Sequence, residues 1–333
     1  MKIMRLIVSV IFSVLISFFV SSQTFTISYG KLLITYTVIS DSEKTCMLSS
    51  IYDSMPGSSL ELELPAIVWN GNQSYDVIAI GDGALSEQNI KQITLPNSII
   101  SIGDSAFYGN SKLYNISLPN SIKSIGEKAF SECTGLYSAS VPNSVSYIGD
   151  GAFYNCNNLS SIKIPDSVTE IRTSAFEGCT NLCSIVIPNS VRYIWDRAFY
   201  GCKNLLSVSI PKYIEIIMSF AFKECNALES IYYDTDNPIF AYQDIFSNYS
   251  NPILYVNESA LDKFINTVPW NLFDKIEPYD FADIDDVINV GDNRKSFQVY
   301  YLNGIKVSDD LQNLSPGIYI VRKGTLDKKI IVR

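Results

Sequence analysis

The chain has 333 residues, is 47% hydrophobic and 12% aromatic, and carries a formal net charge of −9. That acidity speaks against nucleic-acid binding, which needs a basic patch. Histidine is absent altogether, which removes the commonest general base and metal ligand, while carboxylate, lysine or cysteine chemistry stays open.

Residues 1–22 read as an export signal. Lys2 and Arg5 form a basic start, Leu6 to Val20 an apolar run, and Val20-Ser21-Ser22 a small-residue cleavage site. An uncleaved anchor is the rival reading, but the run is about 15 residues and a bilayer span needs roughly 20. No later segment is expected to cross a membrane as a helix. Residues 23–63 read as a β-rich N-terminal cap. Leu32 to Ile39 alternates and is β-branched, and Asp41-Ser42 is a turn signal. Leu64-Pro65 is a first, irregular beat, 31 residues before Leu95. An insertion with a loop at Asn70-Gly71-Asn72 is expected between them.

From residue 64 to 233 the chain keeps time. An aliphatic residue precedes proline at Leu95-Pro96, Leu118-Pro119, Val141-Pro142, Ile164-Pro165, Ile187-Pro188 and Ile210-Pro211, always 23 residues apart. Ala106-Phe107, Ala129-Phe130, Ala152-Phe153, Ala175-Phe176, Ala198-Phe199 and Ala221-Phe222 share that interval. So do Cys133, Cys156, Cys179, Cys202 and Cys225. Three series in one phase predict a leucine-rich repeat solenoid, with a β-strand plus a short helical or 3-10 turn per coil. Within one coil, Leu136, Ala139 and Val141 face inward, Pro142 ends the strand, and Val145 and Ile148 form the next inward pair. Gly149-Asp150-Gly151 turns the chain, with Asp150 placed to cap a helical turn. Ala152, Phe153 and Cys156 bury that turn. A lone coil has no core of its own, so the repeats must stack.

After Ile231 the pattern decays. Residues 234–279 read as a C-terminal flanking cap. Ile253 to Val256 is a strand, Ser259 caps a helix from Ala260 to Asn266, and Trp270, Phe273 and Ile276 cover the open core. Residues 280–296 read as a linker. Residues 297–333 read as a small β domain whose first two strands flank Asn303-Gly304, a hairpin turn signal.

The five in-phase cysteines are read as a column of buried thiols packing as small hydrophobes. Disulfides and metal ligation are the alternatives, and Cys183 is the candidate exposed thiol. Asp82, Asp104, Glu127, Asp150 and Asp196 recur before the Ala-Phe pair and are read as turn caps, with a calcium column as the alternative. No cofactor or metal is expected. Outward strand positions carry the candidate partner-binding residues Tyr114, Tyr137, Ser117, Ser140, Lys163 and Tyr232, because tyrosine offers a rigid ring and a hydroxyl to an interface. Tyr108, Tyr154 and Tyr200 form a second candidate strip.

The repeat Leu-x-x-Ile-x-Ile-Pro-x-Ser-Val-x-x-Ile-Gly-x-x-Ala-Phe-x-x-Cys resembles that of the BspA-like leucine-rich repeat surface proteins, over residues 64–233. The stretch from Leu254-Tyr255-Val256 to Trp270 and Ile276 resembles that family's end cap. The tail, with Tyr301-Leu302-Asn303-Gly304 and Pro316-Gly317-Ile318-Tyr319, is similar to the C-terminal sorting domain of type IX secretion cargo. The resemblance implies a secreted or surface-attached Gram-negative protein that binds host or matrix proteins. The chain departs from the pattern at Arg172, Trp195 and Met218, where a turn glycine is missing, and at Asn110, where a cysteine is. The expectation is therefore a non-enzymatic, monomeric binding protein. A surface enzyme or glycan-handling protein using carboxylates, and a structural spacer, remain the alternatives.

Overall fold

The computed structural model describes residues 24–53, 59–279 and 281 in full. Beyond them it describes the backbone of Gln298–Tyr301, Lys306–Ser308, Gly317–Lys323 and Leu326–Val332. The expected export signal, nearly all of the linker and the Asn303-Gly304 turn lie outside the described residues. The last four strands form one antiparallel sheet.

The repeat becomes two columns of short parallel strands joined by turns. One column holds Ile90–Thr94, Asn115–Ser117, Ser138–Ser140 and Ser161–Ile162, then Ser184–Val186, Ser207–Ile210 and Ser230–Tyr233. The other holds Ser101–Ile102, Ser124–Ile125 and Tyr147–Ile148, then Glu170–Ile171, Tyr193–Ile194 and Ile216–Ile217. Pairing keeps the sequence interval: Ala139 faces Ile116 and Ile162, and Ile125 faces Ile102 and Ile148. Because side chains alternate along a strand, these residues all point to one core. Each proline ends its strand and accepts the N–H of the residue three ahead, as in Ile122 to Pro119 and Val145 to Pro142.

The third side of each coil is a chain of tight turns rather than a helix. Two residues per coil hold a positive φ. One column is Gly83, Ser105, Lys128, Gly151, Ser174, Arg197 and Phe220; the other is Glu87, Gly109, Glu132, Asn155, Gly178, Gly201 and Glu224. A left-handed residue breaks the helical run and turns its N–H along the solenoid axis. Lys128 thus donates to the Asp150 carbonyl, Phe130 to Ala152 and Glu132 to Tyr154, all at 2.8 Å. Inside these turns, six consecutive phenylalanine stacks run from Phe107 to Phe246, with ring centroids 5.0–5.5 Å apart.

The expected insertion is a β-hairpin. Ile67–Asn70 pairs antiparallel with Gln73–Ile80 around Gly71, whose φ is +61°. The N-terminal strands Thr24–Tyr29, Leu32–Ser40 and Thr45–Asp53 form an antiparallel meander. Its last strand pairs parallel with Gln73–Ile80 and so joins the solenoid.

Three expectations need correction. The coil pattern does not decay after Ile231: Ser230–Tyr233, Ile253–Val256 and Ile276–Pro278 continue one parallel ladder. Phe246 continues the ring column, while Trp270 and Phe273 bury themselves over the end. Ser259 does not cap the short helix Leu261–Ile265; its hydroxyl donates to Asp236 Oδ1 at 3.2 Å. At Asp82 and Asp104 the carboxylate serves the neighbouring coil rather than its own turn. Asp82 Oδ1 accepts the Asp104 N–H at 2.8 Å, and Asp104 Oδ1 accepts the Glu127 N–H at 2.7 Å. This crossing also explains Gly126, where a Cβ would lie 2.5 Å from Asp104 Oδ1 and 2.6 Å from the Gly103 carbonyl carbon.

Candidate protein-binding face

Tyr114 and Tyr137 precede equivalent strands in adjacent coils. The Tyr137 N–H donates to the Tyr114 carbonyl at 2.8 Å, and the Ser160 N–H to the Tyr137 carbonyl at 3.1 Å. This ladder sets the ring spacing. The two rings stack with centroids 5.5 Å apart and planes 3° apart, and they remain 57% and 48% exposed. Such a pair is pre-ordered, so a partner covering it gains apolar contact with little further loss of side-chain entropy.

Next to the rings the strand face forms an open depression of about 490 Å³, lined by Asn115, Ser117, Ser138, Ser140, Ser161 and Lys163. Its polar groups are hydroxyls, one amide and one ammonium. The structure therefore brings Ser117, Ser140 and Lys163 together and sets the two tyrosines beside them. Sequence reasoning placed all five on outward strand positions; period-2 alternation accounts for Ser117, Ser140 and Lys163, each next to an inward Ile116, Ala139 or Ile162, whereas Tyr114 and Tyr137 stand just before the strands.

Tyr232 is different, and the expectation fails there. It is fully buried, stacking on Tyr255 at 5.0 Å and meeting Tyr279 edge-on at 5.1 Å. Val186 is buried in the same small cluster, against which Tyr255, Tyr279 and Phe281 pack. Burial pushes the Tyr232 hydroxyl well above the usual tyrosine range. The outward strip is thus exposed at Ser117, Ser140 and Lys163 and covered at Val186, Ser209 and Tyr232. The column is interrupted between Ser161–Ile162 and Ser184–Val186, which lie in different sheets, and this change occurs there. Tyr108, Tyr154 and Tyr200 are each half-buried.

A second surface group was missed by sequence reasoning. Arg172 stands where earlier coils have glycine. Its Nε donates to Asp150 Oδ1 at 2.8 Å, its Nη1 to Glu170 Oε1 at 2.9 Å, and its guanidinium lies over the Tyr147 ring at 5.3 Å. One coil on, Trp195 Nε1 donates to Glu170 Oε2 at 2.7 Å. The absent glycines were the available signal: side chains there have neighbours on the strand face to bond. These groups satisfy one another, which suits a stabilised side wall.

The cysteine column is buried and carries free thiols. Each ladder thiol donates to the carbonyl of the phenylalanine in the preceding coil, at 3.1–3.3 Å. Burial pushes the Cys133 thiol up to about 12. Cys183 is only half-buried, and burial raises its thiol too. Among the described residues, no group of three or more acidic or cysteine side chains is placed to hold a metal. No described helix is long and apolar enough to cross a membrane.

Stacked coils with short strands on two sides, tight turns on the third and an aliphatic-phenylalanine core define a leucine-rich repeat solenoid. The chain belongs to the BspA-type leucine-rich repeat family, whose model matches residues 70–183 and 169–298 in six copies. Among solved structures it is similar to the leucine-rich repeat protein of T. pallidum, with 28% identity and a TM-score of 0.51 over 58% of this chain and 86% of that one. It is also similar to a leucine-rich repeat protein from Bacteroides capillosus, at 30% identity and a TM-score of 0.35 over 41% and 96% of the two chains. A leucine-rich cell surface protein from Faecalibacterium prausnitzii is similar at 21% identity and a TM-score of 0.31, over 62% of this chain and 94% of that one. A comparison with curated proteins found no match.

Proposed function

We propose that this protein is exported and displayed at the cell surface, where it binds another protein, a host or matrix component, through the exposed half of its strand face. The observation that carries this reading is the face-to-face pair Tyr114 and Tyr137, exposed beside the Lys163 depression. Tyrosine is enriched at protein-binding hot spots, and a polar rim around an aromatic centre is usual there. The chain acts as a monomeric, non-enzymatic scaffold. Residues 1–22 serve as its export signal and residues 297–333 as its sorting unit.

The test uses a panel of purified extracellular-matrix proteins on a sensor surface. The full mature chain binds at least one of them, and Y114A/Y137A loses that binding while keeping its melting temperature. Equal binding by the double variant, or binding to none of the panel, removes the reading. Deleting Phe297 to Arg333 leaves the protein inside the outer membrane; unchanged surface delivery rejects the sorting role.

A further inference from the structure

The ladder cysteines are not equivalent. Cys133, Cys156, Cys179 and Cys202 are fully buried, each beneath the coil that follows. Cys225 ends the column, and the coil after it supplies no thiol. Tyr249 follows Phe246 by three residues, as Cys225 follows Phe222. Its ring turns instead onto Phe273, centroids 4.9 Å apart, and its hydroxyl donates to the Gln243 carbonyl at 2.8 Å. The space this leaves is a small cleft of about 50 Å³, lined by Cys225, Asn226, Ser247, Asn248, Asn251 and Pro252. Cys225 is 6% exposed, where every other ladder thiol is at zero.

Behind Cys225 lies Cys202, its neighbour one coil back in the buried thiol column. Both thiols donate to the ring column's backbone, Cys202 to the Phe176 carbonyl and Cys225 to the Phe199 carbonyl, at 3.3 and 3.2 Å. The two residues therefore hold the same place on adjacent rungs. Rungs in a parallel ladder stand about 4.8 Å apart. That lies within the roughly 4.4–6.8 Å of Cα separation that a disulfide spans.

We propose that Cys225 and Cys202 form a peroxide-reactive dithiol, in which Cys225 is the attacked sulfur and Cys202 the resolving one. The cleft has room for a molecule the size of hydrogen peroxide and excludes bulky reagents. The Cys225 thiolate attacks one peroxide oxygen, the O–O bond breaks, and the departing hydroxide takes a proton to become water. Cys225 is then a sulfenic acid. The Cys202 sulfur attacks it, the S–O bond breaks, and a second water leaves with the Cys202 proton. In sum, two thiols lose two electrons, one peroxide gains them, and two waters form. The product bond ties two coils near the C-terminal end of the core.

The full chain carrying C183S, which removes the half-exposed thiol, is treated with hydrogen peroxide, then digested and mapped by mass spectrometry. The expected product is one linked peptide joining Cys202 to Cys225, with Cys133, Cys156 and Cys179 still alkylated after unfolding. Dimedone, which traps sulfenic acid, labels Cys225 in C202A and not in the parent. C225A forms no bond. Linkage of a different pair, no oxidation of Cys225, or equal dimedone labelling in parent and C202A overturns the proposal. If C202A fails to fold, as read by circular dichroism, the linked peptide in the parent decides alone.

Discussion

Asn110 Nδ2 donates to the Leu85 carbonyl at 2.7 Å, in the place where Cys133 Sγ, one coil on, reaches the Phe107 carbonyl at 3.1 Å. The asparagine does what the thiol does and two things more: its Nδ2 also donates to the Phe107 carbonyl at 2.8 Å, and its Oδ1 accepts the Ile90 N–H at 2.9 Å. Regular coils satisfy that N–H within their own loop, as Leu113 does on the Asn110 carbonyl and Leu136 on the Cys133 carbonyl. The first loop is reshaped, with Glu87 and Asn89 both at positive φ, and the side chain supplies the acceptor instead. Asn110→Ala should therefore cost about 2–3 kcal/mol, because it strands buried polar groups. Asn110→Cys should cost less, since a bond to the Leu85 carbonyl is kept while those to Ile90 and Phe107 go. Urea denaturation reads both, and a cysteine variant as stable as the parent would show that the Ile90 and Phe107 bonds contribute nothing.

The stacked pair on the strand face should matter more to a partner than to the fold. Tyr114→Ala and Tyr137→Ala should each lower stability by no more than about 1 kcal/mol, because both rings are half exposed and their contact is worth roughly 0.5–1.5 kcal/mol. Either change should weaken partner binding about 30-fold, the effect of losing a hot spot of roughly 2 kcal/mol. Thermal melts and a binding titration separate the two effects. A large melting-temperature drop with little change in affinity contradicts the assignment.

The phenylalanine column should be the most sensitive part of the core. Phe153 is fully buried between Phe130 and Phe176, at 5.4 and 5.5 Å. Phe153→Ala should cost about 3–5 kcal/mol, from lost burial and from the cavity left behind. Phe153→Leu should cost much less, because it refills most of the volume. Chemical denaturation of the two variants compares them, and equal losses would mean that ring volume is not what the column provides.

Stability should fall as pH rises above about 8.5, the ordinary thiol value. Burial raises the Cys133, Cys156, Cys179 and Cys202 thiols in the folded chain, Cys133 up to about 12. The folded state holds these protons where the unfolded chain gives them up. Their contribution is complete below the unfolded value and is lost as pH climbs through it toward the folded one. Each thiol adds a slope of up to about 1.4 kcal/mol per pH unit. The buried tyrosines act only nearer pH 10 and above, so the interval below that belongs to the thiols. C156A/C179A should flatten the slope between about pH 8.5 and 10; an unchanged slope would assign the loss to other groups.

Much of the fold could be read from spacing alone. An interval of 23 residues that carries Pro119, Phe130 and Cys133 to Pro142, Phe153 and Cys156 requires like coils. Period-2 alternation then sends Ala139 inward and Ser138 and Ser140 outward. These relations are local: each depends on residues within one coil or one interval of it. The same arithmetic found Ser117, Ser140 and Lys163, while the 23-residue interval alone paired Tyr114 with Tyr137.

Tertiary structure decided what spacing could not. Tyr232 has the same outward phase as Ser140 and Lys163, yet it is buried because Tyr279 and Phe281 return to it from a later part of the chain. Asp104 looked like a cap for its own turn but bonds forward to Glu127, because the left-handed residues aim backbone groups along the axis. Asn110 looked like a gap in the cysteine column and is its first working member. The physical reason is common to all three. A repeat specifies which way a side chain points, whereas what it meets there depends on the neighbouring coil and on segments far away in sequence.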